Sequence, residues 1–147
     1  MKDNYVILDE IAYDDGAYEV TINTPIGVFS GYTEPDETDA KYPSIYHAAE
    51  IASAKALRRY AEVSVNLLKR DIKMLQGLVD QAVHFANGDR DALDNNSFRL
   101  INGLLKQKRE DLQLWEARVE GVSKNITNRV SARDKIVAGY IKKDKAE

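Results

Sequence analysis

Four polar side chains near the C-terminal end of the sequence offer its best candidate for binding chemistry. Arg129 and Arg133 stand where a helical pattern of apolar residues would place two more apolar positions, and Asn125 and Asn128 lie beside them. Guanidinium groups bind phosphate through paired N–H donors, and amide side chains add neutral hydrogen bonds. These four residues therefore predict an anion or phosphate site.

The position of this cluster in a folded chain also allows a second interpretation. If two long helices fold back on each other, Arg129 and Arg133 lie opposite roughly residues 49–53, where small side chains leave room for a pocket. The same arrangement places them near the carboxylates of helix 1. In the second interpretation the arginines form internal ion pairs with Glu50 or Glu62 and extend to water.

Other constellations of catalytic or metal-binding residues do not stand out. The chain has no Cys, and its two histidines, His47 and His84, are about 55 Å apart along one predicted helix. They cannot share a metal ion or a proton relay within one chain. Phosphate-binding loops, dinucleotide fingerprints and hydrolase motifs do not occur. We therefore predict a non-enzymatic protein with no metal site and no cofactor.

The clearest pattern in the chain is a stripe on its second predicted helix, which we call the seam. Its positions step by three and four residues in alternation, which is typical of coiled-coil packing. Eight of the nine positions are apolar, and Lys108 is the exception. The seam is predicted to pack against another helix, within the chain or between copies, through Phe98, Ile101, Leu105, Leu112, Trp115, Val119, Val122 and Ile126.

A first long helix precedes it, with apolar residues at helical spacing from Ser44, the predicted N-cap, to the pair Asn87-Gly88. Two long helices joined by a short loop form an antiparallel hairpin. Several apolar residues lie off the main stripe of helix 1, namely Ile51, Leu57, Val65, Met74 and Leu78. The hairpin is therefore predicted to assemble as a homodimer or higher oligomer. Four helical glycines suit close backbone approach or solvent exposure: Gly77, Gly103, Gly121 and Gly139.

The first third of the chain has the composition of β-strands. Strand-forming residues fill 5–13, 17–23 and 28–33, and turn signals separate them. The prediction is an α+β fold in a single domain over residues 1–147. Residues 1–43 form a three-stranded antiparallel meander and an acidic loop, helix 1 spans 44–88, and helix 2 spans 96–143.

Charge is distributed unevenly along the chain. The net charge of −3 divides into −8 for residues 1–44, +1 for 45–100 and +4 for 101–147. An acidic N-terminal part argues against binding to duplex DNA, whose phosphates it would repel. No apolar run reaches the roughly 18 residues that a membrane-spanning helix needs, and the N-terminus does not have the order of a signal peptide. We expect a cytoplasmic protein without a membrane partner.

A short acidic meander leading through TPIGVFSGYTEPDETDA into SIYHAAEIASAKA, followed by a long helical hairpin, resembles small accessory proteins of phages that infect Gram-positive bacteria. The order of elements is similar to that of the Thoeris anti-defence sponge family. Those proteins have an N-terminal antiparallel sheet and two long helices, and they oligomerise to sequester a cyclic ADP-ribose signal. The resemblance covers most of the chain and carries no ligand residue over to it.

Together these observations give two functional hypotheses. The first is a phage-type binding protein that antagonises a host antiviral defence in the host cytoplasm. Its partners would be further copies of itself and either a phosphate-bearing small molecule or a host defence protein. The alternative is a coiled-coil structural or adaptor protein that mediates assembly. In the alternative, changes to Arg129 and Arg133 would affect stability or assembly and no ligand.

Overall fold

The computed structural model describes residues 4–38, 45–133, 135, 138 and 139. A three-stranded antiparallel sheet in the order β1-β2-β3 precedes two long helices, which confirms the predicted α+β class with a helical hairpin. The strands are β1 (Val6–Ala12), β2 (Tyr18–Thr24) and β3 (Gly27–Thr33), and the helices are α1 (Ile45–Ala86) and α2 (Asn96–Ser131). Two short 3-10 turns span Pro35–Glu37 and Asp91–Leu93.

The chain divides into two compact units. The first, the sheet unit, contains Met1–Ala61 and Val119–Glu147, and so holds the sheet, the first part of α1 and the last part of α2. The second, the hairpin unit, is Glu62–Arg118 and holds the rest of both helices and the loop between them.

The sheet has two faces whose residues follow the strand register. Opposite Ile22 of β2 lie Ile7 of β1 and Phe29 of β3, and opposite Val20 lie Glu10 and Gly31. These residues share one face, which we call the inner face. Val20 and Ile22 are fully buried on it, because α1 covers β2 and β3 there. Every residue of β1 is exposed, so the cover stops short of this edge strand.

A close approach between β3 and α1 makes this cover possible. A Cβ atom at Gly31 would lie 1.9 Å from the carbonyl oxygen of Ala52 and 2.4 Å from the amide nitrogen of Ala56. Only glycine fits where two backbones come this near. The Thr33 hydroxyl donates a 2.6 Å hydrogen bond to the carbonyl of Ala48, which joins the end of β3 to the first turns of α1.

The core of the sheet unit is built from small residues of α1 against β-branched residues of the sheet. Ala48, Ala52 and Ala56 recur every four residues, so they form one stripe, and each is at most 4% exposed. Phe29 stacks on Tyr60 at the end of this stripe, with ring centroids 5.9 Å apart. The alanines let the sheet lie against the helix backbone, and the aromatic pair fills the wider space beyond them.

The loop between the helices uses side chains and backbone conformations that suit helix ends. After Ala86, Asn87 and Gly88 both take positive φ, and the amide of Asp89 bonds the carbonyl of Ala86. α2 begins at Asn96, the predicted start of helix 2. Its N-cap is Asn95, whose side chain accepts the amide of Phe98 at 2.8 Å, and not Asn96 or Ser97, whose side chains could also cap a helix.

The four helical glycines mark no close approach within the part of the chain that the structure describes. A Cβ atom added at Gly77, Gly103, Gly121 or Gly139 would meet none of the described neighbours within 4 Å. The predicted cap at Ser44 lies outside the described residues, as do most positions from 134 to the predicted end of helix 2 at 143.

Candidate functional site

Arg129 lies in a groove of the sheet unit, between the first turns of α1 and the end of α2. Its Nε donates to the Asn125 side chain at 2.7 Å, and one terminal nitrogen forms an ion pair with the Glu50 carboxylate. Glu50 lies four residues after Tyr46, so both face the groove from α1. The guanidinium group is thus held by an amide and neutralised by a carboxylate.

The groove itself has a volume of about 280 Å³. Its walls combine small and apolar residues with the polar groups of Glu50, Asn125 and Arg129. Tyr46 lies at its border and is 86% exposed, which leaves an aromatic face free for stacking. The remaining lining residues are Ala49, Ser53, Ala54, Leu57 and Val122.

The four residues of the predicted anion cluster do not all meet here. Arg129 and Asn125 line the groove, whereas Arg133 donates a 2.5 Å hydrogen bond to the carbonyl of Asp36, in the 3-10 turn after β3. Asn128 is exposed and does not line the groove. The sequence predicts that Arg129 lies opposite residues 49–53, and its ion-pair partner Glu50 lies in that stretch. Glu50 is one of the two carboxylates that the second interpretation named as partners for the arginines.

A buried histidine adds a contact that the sequence did not indicate. His47 is 5% exposed, and its Nε2 is hydrogen-bonded to the backbone carbonyl of Arg129. The bond joins the first turn of α1 to the end of α2 inside the sheet unit. The His47 side chain is thus a core residue of the sheet unit. Spacing alone could not find this pairing, because it depends on how the two helices meet.

The seam of α2 is the inner stripe of that helix. All of its positions are buried or half-buried, and Leu105 and Ile126 are buried most fully. The polar exception is paired: the Lys108 ammonium lies 3.6 Å from the Asp71 carboxylate across the hairpin unit. Trp115 is half-buried, and the guanidinium carbon of Arg118 lies 4.8 Å from its ring centroid.

One side of the hairpin unit carries an exposed set of large apolar side chains, which we call the apolar hairpin face. Leu78 and Phe85 line a groove of about 320 Å³ together with Ser97 at the start of α2. Helical spacing places Met74 on the same stripe of α1, and Leu100 and Leu104 on the same stripe as Ser97. Exposure of these five side chains ranges from 43% to 75%.

The opposite side of the same unit is polar. Arg109 of α2 donates a hydrogen bond to the Gln76 side chain of α1 there. Asn102, Lys106 and Gln113 line a shallow groove beside Arg109. The hairpin unit therefore has one mainly polar side and one mainly apolar side. Such a distribution is typical of helices that bury an apolar stripe against a further partner, in addition to the stripe they bury against each other.

The segment that forms the sheet and its turns is acidic. Residues 4–38 contain eight carboxylates and no Lys or Arg. Burial raises the pKa of Tyr32, and the charges of Asp15 and Glu34 add to that rise. Burial also raises the pKa of Tyr18, followed by the charge and hydrogen bond of Glu10. Glu37 is paired with Lys55 of α1.

Within the described residues, no group of three or more His, Asp or Glu side chains has the arrangement of a metal site. The described helices include none that is long and apolar enough to cross a membrane.

The fold and these surfaces define a small α+β protein with an acidic sheet and a helical hairpin. No family model, curated protein or solved structure matched this chain in the comparisons with known proteins.

Proposed function

We propose that this chain is a non-enzymatic binding protein that self-associates through the apolar hairpin face. The observation that carries the proposal is that five of the eight exposed large apolar side chains of the hairpin unit lie on one side of it. Met74, Leu78 and Phe85 of α1 lie on that side, and Leu100 and Leu104 of α2 continue it. A second hairpin laid on this side would complete a four-helix arrangement.

The size of this face suits a second copy. Its exposed fractions add up to nearly three fully exposed large side chains, or roughly 600 Å² at about 200 Å² each. A stable interface buries about 800 Å² per partner, of which the apolar centre is only a part. Polar residues around the five side chains would supply the rim.

Charge also favours a second copy on this side. The hairpin unit contains nine basic and nine acidic side chains, so two such units do not repel each other. The sheet unit, by contrast, carries the acidic strands. Self-association through the hairpin unit therefore keeps the repelling parts of two chains out of the interface.

A pair of serine substitutions tests this assembly. Phe85 belongs to the apolar hairpin face, whereas Val83 is 50% exposed and lies seven residues after Gln76, on the polar side. We expect Phe85→Ser to weaken the dimer at least tenfold in sedimentation experiments, and Val83→Ser to leave it unchanged. A wild-type chain that stays a 16.6 kDa monomer at 100 μM would overturn the proposal.

A second candidate function is the sequestration of a nucleotide-type signal in the Arg129 groove. Its support is the combination of a guanidinium group, amide and hydroxyl groups, and an exposed tyrosine ring around one cavity. The Glu50 carboxylate opposes it, because it occupies the guanidinium group and repels a phosphate.

Because the Glu50 carboxylate competes with a bound phosphate, the second candidate can be tested with a substitution that should increase ligand affinity. Glu50→Gln removes the competing charge but keeps the size of the side chain. Against cyclic ADP-ribose and nucleoside diphosphates, we expect Glu50→Gln to bind more tightly than wild type in calorimetry, and Arg129→Ala to lose binding. Equal behaviour of all three proteins would assign Arg129 to an internal ion pair.

The biological setting of the proposal comes from the resemblance to phage anti-defence proteins. In that setting the oligomer acts in the host cytoplasm and blocks a defence by holding its signal or by docking on a defence protein. Expression of the chain in bacteria that carry such a system should restore phage plating. Unchanged plating across a panel of defence systems would favour the alternative role as an adaptor in assembly.

A further inference from the structure

One edge of the sheet, β1, is a second surface that has no partner among the described residues. β1 pairs with β2 on one side only, and it is the first strand of the sheet order. Alternate backbone N–H and C=O groups of an edge strand point away from the sheet and are free to pair with another strand. Val6, Ile7, Leu8 and Ile11 are 37–66% exposed along it.

We propose that β1 binds an extended segment of a partner protein by strand addition, and that this segment carries a pair of basic residues flanked by β-branched ones. The inference rests on the proposed role as a binding protein and names the chemistry of its partner. Main-chain hydrogen bonds supply affinity in this mode of recognition, and the alternating side chains supply specificity.

The charges of the strand determine which segment fits. Asp9 and Glu10 are neighbours in the middle of β1, so their side chains point to opposite faces of the sheet. A strand paired beside them places one of its residues next to each carboxylate. Two adjacent basic residues therefore meet both carboxylates at once, and opposite charges across strands are stabilising.

The same charges argue against a second copy of β1 as the occupant. Antiparallel self-pairing centred on this strand brings two copies of Asp9 and two of Glu10 within a few residues of each other. Like charges across strands are destabilising. The rest of residues 4–38, the strands with their turns, adds six further carboxylates per chain and no basic side chain. The edge is thus protected from its own copies and open to a basic strand.

A bulge defines where the partner strand would pair. The register of β1 against β2 shifts between Ile7 and Asp9, so Leu8 has no residue opposite it. Regular pairing runs from Asp9 to Ala12. Beyond it Tyr13 packs edge-on against Tyr32, with ring centroids 5.9 Å apart. Exposed Ile11 and these two rings offer an apolar strip for the β-branched residues of the segment.

The test uses two synthetic nine-residue peptides, one with a central Lys-Arg pair flanked by alternating Val and Thr, the other with Glu-Glu in its place. We expect the wild-type chain to bind the basic peptide at micromolar concentration and not the acidic one. Asp9→Lys with Glu10→Lys should reverse this preference, with at least tenfold weaker binding of the basic peptide. A reversal cannot result from unfolding.

A charge-matched control separates strand addition from general attraction to an acidic surface. Asp14→Lys with Asp36→Lys makes the same change in net charge at exposed positions outside β1. We expect it to change peptide affinity less than twofold. Hydrogen exchange should also slow at alternate amides within residues 9–12 when the basic peptide binds, because the amides that point away from β2 become bonded to the peptide. The Glu10 amide already donates to the Asp9 side chain at 2.9 Å, so it exchanges this partner for the peptide.

Equal loss in both double variants, or unchanged exchange at residues 9–12, would overturn strand addition. If no peptide binds while the chain still dimerises through the apolar hairpin face, this inference falls and the proposed assembly stands. If peptide binding persists in a chain that sediments as a monomer, the reverse holds.

Discussion

At the residue scale, Gly31 is required for the contact between β3 and α1. The carbonyl of Ala52 and the amide of Ala56 occupy the space where any other residue would place its Cβ atom. Both are backbone atoms inside a helix, so neither can turn away as a side chain could. A larger residue must push β3 off α1 and thereby open the contact that buries Val20 and Ile22.

Gly31→Ala is therefore expected to lower the free energy of unfolding by about 3 kcal/mol, the upper end of the usual range for overpacking. Denaturant unfolding followed by circular dichroism measures this. Gly121→Ala is the matched control, because its Cβ atom would face open space on α2. It should raise stability by about 1 kcal/mol through helix propensity alone. Similar effects of the two substitutions would contradict the close approach.

At the scale of elements, α2 presents apolar residues on two different sides. Its seam packs within the chain, while Leu100 and Leu104 lie exposed on the apolar hairpin face. Adjacent residues Leu104 and Leu105 belong to different sides, with 43% and 3% exposure. Two neighbouring leucines thus differ in role: Leu105 packs within the chain, and Leu104 is exposed on the apolar hairpin face.

Leu105→Ala should lower the free energy of unfolding by about 3 kcal/mol, because it leaves a cavity in the packed stripe. Leu104→Ala should leave the stability of the dilute chain within about 0.5 kcal/mol of wild type, as exposed positions usually do. At concentrations where the chain dimerises, Leu104→Ala should weaken the dimer, because Leu104 lies on the apolar hairpin face. Thermal melts at 1 μM and at 100 μM protein distinguish the two effects.

The elements themselves follow from local patterns, and the contacts between them do not. Alternation in β2 and the three-four spacing of α2 predict both elements, since each pattern depends only on near neighbours. The pairing of His47 with the Arg129 carbonyl joins residues 82 positions apart. The cap at Asn95 and the close approach at Gly31 likewise depend on geometry that spacing leaves open.

At the scale of the whole molecule, the apolar hairpin face and β1, which have no partner among the described residues, differ in the force that would bring a partner to them. The apolar hairpin face belongs to a unit with no net charge, whereas β1 belongs to an acidic sheet. Salt screens interactions between exposed charges but does not weaken hydrophobic association. The two binding events should therefore respond differently to ionic strength.

Raising NaCl from 50 to 500 mM should weaken binding of the basic peptide at least tenfold and change the dimer dissociation constant less than twofold. Sedimentation and fluorescence anisotropy on the same samples measure both. A dimer that dissociates with salt would show that charged groups, and not the five apolar side chains, hold it together. Peptide binding that salt leaves unchanged would remove the role of Asp9 and Glu10.

The distribution of aromatic residues gives each unit its own optical reporter. The only tryptophan of the chain, Trp115, lies in the hairpin unit, and all eight tyrosines lie in the segments of the sheet unit. Fluorescence excited at 295 nm therefore follows the hairpin unit, and tyrosine absorbance follows the sheet unit. Coincident transitions would show that α1 and α2, which run through both units, transmit unfolding from one to the other. Separate transitions would give each unit a stability of its own.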